Sequence, residues 1–146
     1  MKDLYEIGVL FRGIILVNHH FKDIPNKKKN MEESHKDLRG SFISAIISIV
    51  NKTFNNNPLE YLESGNYLFM YKIGEIFSSD NPKNSFEPVI FYGLAKKKKK
   101  SEKTVKIFRK KVSPLLELFI ERYSGKNLIE LEQFRNFEYE LLGILL

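Results

Sequence analysis

The sequence predicts an α+β fold, a three-layer sandwich in which one five-stranded, mainly antiparallel sheet carries one helix on one face and two on the other. Three observations predict it. Five short segments show two-residue apolar alternation or a continuous apolar run, three longer ones show the helical period, and their order along the chain is ββαβββαα. The 146 residues fit a single domain spanning 1–146, and a hydrophobic fraction of 42% with 12 Phe and 7 Tyr is enough to furnish a core.

The first strand runs from Leu4 to Phe11, with Tyr5, Ile7, Val9 and Phe11 on one face and Leu4 and Leu10 on the other. Arg12-Gly13 supplies a tight turn. Ile14 to Phe21 follows, with Ile14 and Leu16 on one side and Ile15, Val17 and Phe21 on the other, so the two segments read as a hairpin. Apolar residues on both faces imply a sheet covered on both sides, and the second strand is expected at a sheet edge. Asp23 to Lys36 is polar and reads as an exposed loop.

From about Asp37 to Phe54 the period becomes helical. Leu38, Phe42, Ala45, Ile46 and Ile49 form one stripe, with Ile43, Ile47, Val50 and Phe54 beside it. So wide an apolar sector is either buried within the monomer or offers its second stripe to a partner. Asn55 to Pro58 stops this helix. Leu59 to Glu63 and Tyr67 to Ile73 form a second hairpin around Ser64-Gly65-Asn66. Gly74 to Pro88 reads as a flexible connection in which Ile76 and Phe77 either extend the strand or enter the core. Val89 to Ala95 is the continuous apolar run of a central strand.

Val105, Phe108, Val112, Leu115, Phe119 and Tyr123, widened by Leu116 and Ile120, define an amphipathic helix from Ser101 to Tyr123. Pro114 predicts a kink within it, because the apolar stripe keeps its phase across the proline. Ser124-Gly125 ends it, and a last helix from about Glu132 to Leu145 carries Phe134, Phe137, Leu141 and Leu145 on one side.

Cysteine is absent, which excludes a disulfide framework and a thiolate metal site and points to a reducing, cytoplasmic setting. No apolar run approaches the roughly 20 residues of a membrane span. The chain opens directly on a strand pattern, so no signal peptide is expected. A net charge of +6 biases the protein toward acidic partners, anionic lipid or nucleic acid.

The strongest local charge feature is the run Lys96, Lys97, Lys98, Lys99 and Lys100, followed by Lys103, Lys106, Lys110 and Lys111 on the polar side of the helix. Together these residues form a candidate surface for an anionic partner, with peripheral contact to an anionic membrane as one use. The plainer reading is a solvated loop that discourages aggregation. Nucleic-acid binding is disfavoured, because the flanking aromatics Tyr92 and Phe108 belong by their period to the core. His19 and His20 point to opposite sheet faces, which keeps them from sharing a metal ion. No phosphate-cradling glycine loop or nucleophile motif is present, so neither a cofactor nor catalysis is expected. Ile15, Val17, Ile43, Ile47 and Val50 form a candidate surface for pairing with another chain.

Asp37-Leu38-Arg39-Gly40-Ser41-Phe42-Ile43-Ser44-Ala45-Ile46 opening the first helix, Gly65-Asn66-Tyr67 entering a strand, and Leu118-Phe119-Ile120-Glu121-Arg122-Tyr123 closing the second helix resemble the longin domains, above all the small single-domain longin-like proteins of archaea. The related roadblock fold begins with a helix that this chain lacks. The resemblance implies a non-catalytic scaffold that pairs with itself or with another longin or roadblock chain and engages a small GTPase in a trafficking-like system. A role in membrane fusion is not expected, since it would require a coiled coil and an anchor after Leu146.

Overall fold

The computed structural model describes residues 4–21 and 61–143. β1 (Leu4–Phe11) and β2 (Ile14–His20) form one hairpin, and β3 (Tyr61–Ser64) and β4 (Tyr67–Ile76) form a second. With β5 (Glu87–Lys96) they make one antiparallel sheet in the order β2-β1-β5-β4-β3. Two helices follow, α1 (Ser101–Tyr123) and α2 (Phe137–Leu142), separated by a 3-10 turn over Leu131–Phe134. The architecture is α+β, as expected. The helix expected over 37–54 lies outside the described residues.

The first hairpin turns at Arg12 and Gly13, whose φ angles of 54° and 75° are both left-handed. Two positive φ angles give a turn whose twist matches that of the flanking strands. β2 stands at one edge of the described sheet and β3 at the other, and β5 is buried along nearly its whole length between β1 and β4.

Strict alternation fails in β1 and β2, because each carries a register shift. Against β5, Leu4 pairs with Ala95 while Glu6 already pairs with Leu94, so three residues of β1 span two of β5. The extra residue moves Leu4 to the face of Ile7, Val9 and Phe11 and turns Tyr5 to the face of Leu10. Between β1 and β2, Val9 pairs with Val17 but Leu10 with Ile15, which leaves Leu16 as the extra residue. Leu16 and Val17 therefore share one core cluster, and Ile15 packs with the other. Neither bulge is encoded in an apolar pattern, since every residue involved is apolar except Glu6.

α1 and α2 pack on the Ile7, Val9 and Phe91 face, where Val105, Phe108, Val112, Leu116, Phe119, Phe137 and Leu141 join one continuous core. Close approach is possible because the sheet offers two positions without side chains. A Cβ on Gly93 would come within 2.6 Å of the Phe108 ring, and one on Gly74 within 2.9 Å of Ile120. At the far end of α1 an aromatic cluster closes the core. The Phe119 ring lies 5.1 Å from Phe137, 5.5 Å from Phe134 and 5.8 Å from Phe91, centroid to centroid.

α1 is continuous through Pro114. Proline cannot donate to the carbonyl one turn back. One residue earlier, the Ser113 hydroxyl donates to the Arg109 carbonyl at 2.6 Å and accepts from the Lys72 ammonium, tying this part of the helix to β4. The connection expected over 74–88 is shorter than the sequence suggests. β4 runs on to Ile76, which is fully buried, and its ladder with β5 extends from Tyr67 opposite Lys96 to Ile76 opposite Glu87. The helix expected from Glu132 to Leu145 is divided. Asn136, a residue of low preference for helix interiors, stands at the N-terminal boundary of α2 without a side-chain cap, and Phe134 enters the core from the preceding 3-10 turn. Leu145 lies outside the described residues.

Candidate functional site

The turn from β5 into α1 carries the lysine run. Lys96 ends β5, and Lys97, Lys98, Lys99 and Lys100 form the turn, all five exposed. In α1, Lys103, Lys106 and Lys110 are exposed, as their helical phase requires, while Lys111 is half-buried. The run is not uniformly solvated. Lys97 lies 3.1 Å from the Glu63 carboxylate on the edge strand β3. Glu63 is held well below the usual carboxylate range, first by a hydrogen bond from the Ser101 hydroxyl and then by Lys97. Through Lys97 this carboxylate ties the edge strand to the turn that precedes α1.

Between β3 and the first half of α1 lie two adjoining open grooves, each of about 360 Å³. The first is lined by Tyr61, Glu63, Ser101, Glu102 and the cations Lys99, Lys100 and Lys103. The second shares Tyr61 and Glu102 and adds Lys106 and Arg109. Among the described residues five basic side chains thus line the grooves with two acidic ones, and Glu63 is already engaged by Lys97. Lys99, Lys100 and Lys103 also stand at the N-terminal end of α1, where positive charge opposes the helix dipole. The Arg109 guanidinium is anchored by a 2.9 Å hydrogen bond to the Tyr71 carbonyl.

Of the predicted anionic-partner set, the structure brings Lys99, Lys100, Lys103 and Lys106 together around this groove. Lys96, Lys97, Lys98, Lys110 and Lys111 do not line it. Sequence reasoning missed Tyr61, Glu63 and Glu102, because two of them belong to a strand some forty residues upstream. It also left out Arg109, whose half-buried phase between core stripe and solvent places it on the groove wall. Of the pairing set, Ile15 is half-buried beside the second apolar cluster and Val17 is buried in the first. Ile43, Ile47 and Val50 lie outside the described residues.

Two further polar clusters escaped the sequence reading. Arg12, read only as part of a turn, grips Glu87 through both carboxylate oxygens at 2.7 and 2.8 Å and Asp80 at 2.9 and 3.1 Å. The Ser78 hydroxyl donates to Asp80 and accepts from the Leu128 backbone N–H, so the hairpin turn, the β4–β5 connection and the segment after α1 are clamped together. A non-glycine residue forced to positive φ was the available signal. The second cluster is buried: Glu6 is 2% exposed, accepts a hydrogen bond from the Tyr92 hydroxyl, and lies 2.7 Å from His20 Nε2. His19 points the other way, packs edge-on to Phe21 and faces Glu138 of α2 at 3.6 Å. Among the described residues no helix is long and apolar enough to cross a membrane.

Comparison with known proteins finds no matching family model, no similar curated protein and no similar solved structure.

Proposed function

We propose that this chain is a non-catalytic interaction scaffold of the longin type, which pairs through the β2 edge with a second copy or with a related longin or roadblock chain and in that state engages a small GTPase. In this reading the domain is a three-layer sandwich, with residues 37–54 forming the helix over the second sheet face. The observation that carries the reading is the sheet order, which leaves β2 at an edge with no strand beyond it among the described residues. An edge strand offers a row of backbone donors and acceptors to an incoming strand, and a neighbouring apolar residue such as Ile15 adds buried area to the pairing.

The three-layer arrangement has physical support. β2 and β3 stand at opposite edges, so residues 22–60 bridge a sheet about 19 Å wide. A helix over 37–54 would be about 27 Å long, enough to make that crossing. The face it would cover is apolar, with Tyr5, Leu10, Phe69, Ile90, Tyr92 and Leu94 buried on it.

Light scattering coupled to size exclusion, at low and high salt, tests the pairing. The expected result is a salt-resistant species of twice the 17.2 kDa chain mass that Ile15→Lys converts to monomer. A wild-type chain that stays monomeric at the highest concentration reached, alone and with candidate longin or roadblock chains, overturns it.

A further inference from the structure

We infer that the groove between β3 and the first half of α1 is a docking site for an acidic, extended polypeptide segment. It lies at the sheet edge opposite β2, so its occupancy and the pairing proposed above are separately measurable.

Charge complementarity is the first argument. Among the described residues, Lys99, Lys100 and Lys103 line one groove and Lys106 and Arg109 the adjoining one, against the acidic Glu63 and Glu102, and Glu63 is already paired with Lys97. The described lining therefore presents an excess of positive charge along the wall formed by the turn and α1, where a ligand's carboxylates meet several cations in a row. The helix N-terminus adds to the same field, and the lysines beside it work against α1 until an anion arrives.

Shape selects the class of anion. A bilayer is flat on this scale and reaches the protruding lysines of the turn, but not Tyr61 and Arg109, which are half-buried in the groove. A single polypeptide strand enters such a recess. From Ser101 to Arg109 the helix rises about 12 Å, the length of about four extended residues. Side chains of an extended segment alternate, so one with acidic residues at every second position turns its carboxylates toward the lysines of α1.

The test uses the full chain and a short fluorescein-labelled peptide of alternating Glu and Ser, with a Gln-for-Glu counterpart, read by fluorescence anisotropy. The Glu peptide is expected to bind about tenfold or more tightly than the Gln peptide at low salt, with the preference shrinking as salt rises. The double variant Lys103→Glu/Lys106→Glu is expected to lose about tenfold in affinity, whereas Lys83→Glu/Lys126→Glu, the same charge change at exposed residues outside the groove, changes it by about twofold or less. Circular dichroism checks that both variants fold, and Lys99→Ser/Lys100→Ser gives a second, milder test of the same wall. Equal losses in the two double variants, or no preference for Glu over Gln, overturn the proposal. So does capture of the protein by phosphatidylserine vesicles through Lys103 and Lys106 when the Glu peptide does not bind, which assigns the surface to lipid.

Discussion

Gly93→Ala is the smallest change that questions how α1 is held against the sheet. Gly93 pairs with Ile7 and Met70, directly under the helix, and a Cβ placed there would lie 2.6 Å from Phe108 Cε2 and 3.1 Å from two more ring atoms. Ordinary contact begins at 3.4 Å, so ring or helix must retreat by about 0.8 Å. Phe108 is fully buried and cannot swing into solvent. Overpacking of this kind costs about 1–3 kcal/mol. Ala returns about 0.4–1 kcal/mol by restricting the unfolded chain. The net loss is therefore about 1.3 kcal/mol at mid-range, or about 3–5 °C in Tm for a domain near this size. Urea unfolding followed by circular dichroism measures it. Phe108→Leu, which trims the offending ring, should reduce the cost of Gly93→Ala by about 1 kcal/mol in the double-mutant cycle. Gly93→Ala within about 0.3 kcal/mol of wild type, or strict additivity with Phe108→Leu, would refute the claim that this contact sets the helix position.

The Arg12 clamp makes stability depend on pH. Arg12, and secondarily the Ser78 hydroxyl, hold the Asp80 carboxyl below its usual range, so the folded state binds this proton less readily than the unfolded chain does. The contribution is complete above the unfolded value near 4 and is lost as pH falls through the lower folded value. Urea midpoints of wild type and Arg12→Gln should accordingly differ at about pH 6 and converge toward about pH 2. A gap that stays constant over that range contradicts the linkage. At the buried carboxylate, Glu6→Ala removes the acceptor of the Tyr92 hydroxyl and should cost about 1–3 kcal/mol. Tyr92→Phe leaves Glu6 its contact with His20 and should cost less, about 0.5–1.5 kcal/mol. Thermal unfolding of the two variants decides it, and Glu6→Ala proving the milder of the two would count against a structural role for this carboxylate.

Where the sequence was legible, one period dominated a whole segment. The stripe Val105, Phe108, Val112, Leu115, Phe119 and Tyr123 located α1 from Ser101 to Tyr123; five of the six are buried, and Leu115 is half-buried beside the buried Leu116. The run Val89 to Ala95 announced a central strand for the same reason, since only a strand covered on both faces is apolar without alternation. The misreadings came where apolar residues were interchangeable. In Leu4-Tyr5 and in Ile15-Leu16-Val17 any assignment to faces keeps the core apolar, so the register was decided by cross-strand hydrogen bonding, which composition does not record. The division of the last helix near Asn136 leaves no trace in the apolar stripe, since Phe134 and Phe137 are buried on either side of it.

The groove was half legible for a different reason. Its lysine wall is contiguous in sequence and stood out as a charge run, but charge alone cannot distinguish a solvated loop from one side of a recess. The distinction rests on the opposite wall, Tyr61 and Glu63, which pair with Met70 and Leu68 and so take their place from β4. β4 in turn is placed by its long ladder with β5, the strand that delivers the lysines. The two walls are thus held in mutual register by the most continuous ladder of the sheet, and the Glu63–Lys97 ion pair fastens them at the open end. A recess assembled in this way keeps its width while its charges remain exposed. That combination favours a preorganised docking wall over a loop whose lysines serve only solubility.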